Sequence, residues 1–118
     1  MQERRMYPRV AVNKEASFYI ENRLSPIPCR VEDISLGGLK VSMHKSLLPE
    51  VFSNISLSIP DVFDFNAGTQ VAWQDEYEGR CTYGLIFNRL GDDDKDRISG
   101  YIQDNSFKGL KEHWWKDL

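Results

Sequence analysis

The sequence predicts a mainly β fold, a six-stranded antiparallel β-barrel followed by a C-terminal α-helix. Three observations carry this expectation. Apolar and polar residues alternate with a period of two in about six short segments between Val10 and Phe87, turn residues separate those segments at hairpin spacing, and the period becomes helical after Phe87. Six strands with one apolar face must stack as a sandwich or close on themselves. In a chain of 118 residues, a small barrel is the economical answer, because closure removes exposed strand edges.

The elements follow in order. Val10, Val12, Ala16, Phe18 and Ile20 share one face of a first strand, and Asn13, Glu15, Ser17 and Glu21 share the other, with Lys14 out of step. A turn around Asn22 to Pro28 leads to Cys29 and Val31, which alternate with Arg30 and Glu32. That strand ends at Asp33-Ile34-Ser35-Leu36-Gly37-Gly38, a turn in which the glycines offer positive φ and the Asp and Ser side chains bond the local backbone. Leu39, Val41 and Met43 return as the second arm of a hairpin. Ile55, Leu57 and Ile59 form a fourth strand; Phe63, Phe65, Ala67, Thr69, Val71 and Trp73 share the parity of a fifth; Tyr83, Leu85 and Phe87 form a sixth. Asp92, Asp93 and Asp94 then suit a helix start, and Leu90, Ile98, Tyr101 and Ile102 have helical spacing, so a helix should cover one end of the barrel. Ser106 offers the cap of a further short helix carrying Phe107, Leu110 and Trp114. The expected organisation is a flexible arginine-bearing arm over residues 1–9, the barrel and its helix over 10–104, and a short amphipathic tail over 105–118.

Composition narrows the function. A hydrophobic fraction of 41% with 28% charged residues describes a globular chain, and no apolar run approaches a bilayer span. The N-terminal residues lack the apolar stretch of a signal peptide, so a cytoplasmic protein without membrane insertion is expected. Cys29 and Cys81 make no metal-ligand pattern with His44 and His113, and read as reduced, buried apolar residues. No Cys-His or Ser-His order and no glycine-rich phosphate loop supports an enzyme. A net charge of −3 argues against binding DNA or RNA through a broad basic surface. An anionic ligand would need a local cluster. Arg4, Arg5 and Arg9 supply one, projecting from a segment in which Pro8 forbids regular helix.

Taken separately, three arginines in an arm read as solvated charge, and Asp33-x-Ser35-x-x-Gly38 reads as a capped hairpin turn. Together and in this order, Arg5-x-x-x-Arg9 and Asp33-x-Ser35-x-x-Gly38 resemble the PilZ domain family, whose pattern is R-x-x-x-R followed by [D/N]-x-S-x-x-G. The resemblance covers roughly residues 3 to 104 and implies a six-stranded barrel with a C-terminal helix. It also implies cyclic di-GMP as ligand, with no cofactor and no catalysis. Arginine can fork onto guanine O6 and N7, pair with phosphate or stack on a purine. Asp33 can accept from the N1 and N2 protons of a guanine, Ser35 can bond beside it, and Gly38 keeps the turn free of a side chain. Arg4, directly before the motif, fits family members that take an intercalated pair of ligands. Trp73 sits where members place a side chain against a guanine, although a core tryptophan is an equal reading. Binding would then reposition the arm and present a surface to an unidentified downstream protein. A protein-only adaptor of the same family and a small-barrel binder of single-stranded nucleic acid are the competing readings.

Overall fold

The computed structural model describes residues 8–20 and 25–113, with side chains as far as Asn105. Six antiparallel strands, β1 (Arg9–Ile20), β2 (Ile27–Ser35), β3 (Gly38–Met43), β4 (Asn54–Ile59), β5 (Phe63–Tyr77) and β6 (Arg80–Leu90), precede one helix, α1 (Asp92–His113). The strands close into a barrel in the order β1-β2-β3-β6-β5-β4, the seam being the β1–β4 pairing that sets Phe18 opposite Leu57. The predicted barrel and helix are therefore both present.

Alternation builds the interior. Val10, Val12, Ala16 and Phe18 of β1, Ile55, Leu57 and Ile59 of β4, and Tyr83 and Leu85 of β6 are all buried. Phe18 stacks on Phe52 with ring centroids 5.2 Å apart, and Phe52 meets Tyr83 at 4.7 Å. Cys29 and Cys81 are buried free thiols inside the same core. Burial, with the charge of Glu15 as a smaller cause, pushes the Cys29 thiol up to about 12.

Both ends of the barrel are covered. A 3-10 helix at Pro49–Phe52, unforeseen in the sequence, inserts Phe52 at the end where β4 begins. Thr69 fastens it, its backbone N–H donating to the Ser53 carbonyl (3.2 Å) and its hydroxyl to the Phe52 carbonyl. At the opposite end Ile98 and Ile102 of α1 enter the core, and Tyr101 packs on Phe63 at 5.7 Å. Asp92, Asp93 and Asp94 occupy the first helical turn, which complements the helix dipole, and the Gly91 carbonyl accepts from the Lys95 N–H at 2.9 Å. Leu90, expected in the helix, closes β6 instead, paired with Ala67. The helix runs through to His113 without a break at Ser106, so no separate short helix begins there. The side chains of Phe107, Leu110 and Trp114 lie outside the described residues. Among the described residues, no helix is long and apolar enough to cross a membrane.

Three of the four irregularities in the ladders shape the wall that carries the motif residues and Trp73. β1 uses three steps from Ala11 to Lys14 where β2 uses two from Asp33 to Val31, and Asn13 takes φ 51 in that bulge, which is why Lys14 leaves the alternation. β2 uses two steps from Val31 to Asp33 where β3 uses one, so Val31 and Ile34 are both buried while Glu32 and Asp33, side by side, are both partly exposed. β5 has an extra residue at Ala72, and this turns Trp73 to the outside.

Candidate ligand-binding site

The Asp-x-Ser-x-x-Gly segment spans the end of β2 and the start of β3, and its members divide into scaffold and surface. Ser35 is buried, and its hydroxyl oxygen accepts from the backbone N–H groups of Gly37 (3.0 Å) and Gly38 (3.2 Å). Its own proton points to the Gly38 carbonyl at 3.4 Å. Gly38 is needed for space rather than for positive φ, which among the described glycines only Gly79 adopts. A Cβ on Gly38 would strike the Leu85 carbonyl of β6. The Gly37 carbonyl accepts from the Phe87 N–H at 2.9 Å, which ties the turn to that strand. The expectation that these glycines serve a left-handed turn is corrected: neither takes positive φ, and at Gly38 close strand approach is the physical requirement.

Asp33 faces outward from this rigid turn. Its Oδ1 accepts from the Arg9 guanidinium at 3.3 Å, and its Oδ2 lies 4.0 Å from Lys40 Nζ. Arg9, expected at the end of a flexible arm, is the first residue of β1 and pairs with Ser35 in the ladder. Arg9, Asn13, Glu32, Asp33 and Lys40 line an open cavity of about 320 Å³. Glu32 is braced from behind: its Oε2 accepts from the Ser42 hydroxyl at 2.7 Å, and Arg80 Nε donates to that same hydroxyl oxygen at 3.0 Å. The barrel wall thus carries two carboxylates and two cations around one hollow, next to the motif turn.

Trp73 belongs to the same wall but not to the same hollow. Cross-strand pairing sets Asp33 opposite Lys40, Lys40 opposite Gly84, and Gly84 opposite Trp73, a continuous outward row across β2, β3, β6 and β5. With neighbouring strands about 4.8 Å apart, Asp33 and Trp73 are separated by roughly 14 Å of backbone. The indole is 46% exposed, which excludes the core reading, and it lies across Gly84, where a Cβ would clash with the ring. Of the residues singled out in the sequence, Arg9 and Asp33 line the hollow, Ser35 and Gly38 shape the turn beside it, and Trp73 stands apart on the same wall; Glu32 and Lys40, which also line the hollow, were not singled out. Both were legible in principle, since alternation puts Glu32 and Lys40 on the outer face of the hairpin; only the bulge turns Asp33 outward beside them. Arg4 and Arg5 lie outside the described residues.

The family model for the PilZ domain matches residues 3–104, and the chain belongs to the PilZ domain family. Solved structures share the fold at low identity. YcgR from Escherichia coli in complex with c-di-GMP superposes with a TM-score of 0.71 at 17% identity, over 93% of this chain and 49% of that one. The K. pneumoniae MrkH–c-di-GMP complex gives 0.74 at 17% identity over 94% and 55%. The Bacillus subtilis inhibitor of motility MotI/DgrA gives 0.69 at 17% over 91% and 53%. This chain therefore spans about half the length of those proteins. No curated protein matches the sequence.

Proposed function

We propose that this chain is a receptor for cyclic di-GMP that binds the dinucleotide on the Arg9–Asp33 wall of the barrel and performs no catalysis. The observation that carries the reading is that one residue of each motif meets at one cavity: Arg9 of the first and Asp33 of the second touch across β1 and β2, beside a turn that Ser35 and Gly38 hold rigid. Family membership and the PilZ domain of E. coli YcgR with c-di-GMP, matched over 97% of its length at a TM-score of 0.67, support it.

In this reading Asp33 accepts the N1 and N2 protons of a guanine, and the Arg9 fork bonds phosphate or the O6 and N7 edge. Ser35 and Gly38 act mainly by shaping the turn, and the exposed indole of Trp73 offers a face for the second guanine. Arg4 and Arg5 close over the ligand, and Arg4 sets whether one dinucleotide or two are held. β1 begins and β2 ends at the barrel end that α1 covers, so the ligand sits close to the helix. Movement of the arm against that end would be read by a downstream protein partner. The buried free thiols of Cys29 and Cys81 suit the reducing cytoplasm.

Calorimetric titration with cyclic di-GMP tests the proposal, with cyclic di-AMP and GTP as controls and the Arg5→Ala/Arg9→Ala double variant alongside. Selective binding that the double variant loses is expected. Silence with every nucleotide would overturn it in favour of a protein-only adaptor.

A further inference from the structure

We infer that Lys40 is a phosphate-binding residue of this site, parked on Asp33 until the dinucleotide arrives; the inference rests on the receptor reading above. Asp33 carries a cation on each flank, Arg9 from β1 against Oδ1 and Lys40 from β3 facing Oδ2. The two are held differently. Arg9 is within hydrogen-bond reach at 3.3 Å, whereas Lys40 Nζ, at 4.0 Å, is too far for a hydrogen bond and makes only a loose charge contact. Its side chain is 37% exposed, lines the same cavity, and meets no acid other than Asp33 within 4.0 Å among the described residues.

The row of paired residues determines what Lys40 would meet. Asp33 marks a seat for one guanine edge and Trp73, lying over Gly84, a face for another, with Lys40 between them. In a cyclic dinucleotide the two nucleosides are joined through phosphates, so a ligand spanning Asp33 and Trp73 carries a phosphodiester over the intervening position. An ammonium on a flexible four-carbon stem suits that role, since it binds a phosphate as a point charge and lacks the planar fork that reads a base edge. Binding then exchanges partners. Asp33 turns both oxygens to the guanine N1 and N2 protons, and Lys40, released from the carboxylate, takes a phosphate oxygen. Neither charge is left without a partner.

The test is titration of wild-type protein, Lys40→Gln and Lys40→Arg with cyclic di-GMP at several salt concentrations between about 50 and about 300 mM. For Lys40→Gln the expected result is affinity weaker by about 5- to 30-fold at low salt, with a shallower fall of affinity as salt rises than the wild-type protein shows. Lys40→Arg should keep most of the slope. Unchanged affinity and slope in Lys40→Gln, or tighter binding from a freed Asp33, would overturn the assignment while leaving the receptor reading intact. Silence of the wild-type protein would overturn both. Circular dichroism of each variant checks that this exposed position leaves the fold unaltered.

Discussion

Replacing Asp33 with Asn separates the charge of the central carboxylate from its shape. In the folded protein Asp33 makes one hydrogen-bonded contact, to Arg9 at 3.3 Å, and one looser charge contact, to Lys40 at 4.0 Å, and both cations are more than one-third exposed. Exposed pairs of this kind contribute about 0–1 kcal/mol each. Asp33→Asn should therefore lower unfolding free energy by no more than roughly 1 kcal/mol, a small part of the 6–18 kcal/mol or so expected for a chain of this length. Binding should suffer more. A carboxylate accepts both guanine protons, whereas an amide offers one acceptor and sets its NH₂ against the other donor. The charge-assisted pair is lost and a donor faces a donor, offset in part by freeing Arg9 and Lys40, for a net cost of about 2–4 kcal/mol, or roughly 30- to 1,000-fold in affinity. Urea unfolding gives the first quantity and calorimetry with cyclic di-GMP the second. Wild-type affinity in a folded Asp33→Asn protein would refute the assignment of Asp33 to the guanine edge, and a collapse of stability would refute its placement on the surface.

The two close-packed glycines should fail in opposite ways. Gly38→Ala drives a methyl into the Leu85 carbonyl, which cannot move without shifting β6; overpacking and two or three broken ladder bonds should cost about 3–5 kcal/mol in urea unfolding. For Gly84→Ala the three nearest atoms all belong to the Trp73 ring, an exposed side chain that can lift away. Stability should change by under about 1 kcal/mol while binding weakens by roughly 1–3 kcal/mol, and unaltered affinity would remove Trp73 from the site. The Cys29 thiol, raised from 9.0 to about 12, stays protonated in the folded chain where the unfolded chain ionises. Its contribution is fully present below pH 9.0 and is lost as pH climbs towards 12, at up to about 1.4 kcal/mol per pH unit. Denaturation between about pH 8 and about pH 10.5 should show a shallower decline for Cys29→Ala than for wild type, and equal slopes would contradict the burial argument.

Much of this molecule was legible because a half-buried strand writes its period into the sequence. Ile55, Leu57 and Ile59 against Asn54, Ser56 and Ser58 locate β4 to the residue. Two departures from the alternation come from the irregular backbone. A single extra residue at Ala72 reverses the facing of Trp73, and the β2 irregularity turns Asp33 outward beside Glu32. Neither leaves a mark in residue type. The Pro49–Phe52 turn was missed because four residues are too few to show a period; Pro49 followed by a lone Phe52 was the available signal. In the motif, the close packing that requires a glycine at position 38 was not legible. Its constraint comes from Leu85, 47 positions away in sequence, and a contact so distant has no local signature.

Amide chemical-shift mapping of the 15N-labelled protein titrated with cyclic di-GMP tests the central claim most directly. The account predicts that shifts concentrate on Arg9, Asp33 to Lys40 and the Trp73 indole N–H, while β4, on the far side of the barrel, stays still. Shifts centred instead on Ile86, Asn88, Arg89 and Lys95, which line a second groove, or no shifts at all, would contradict it.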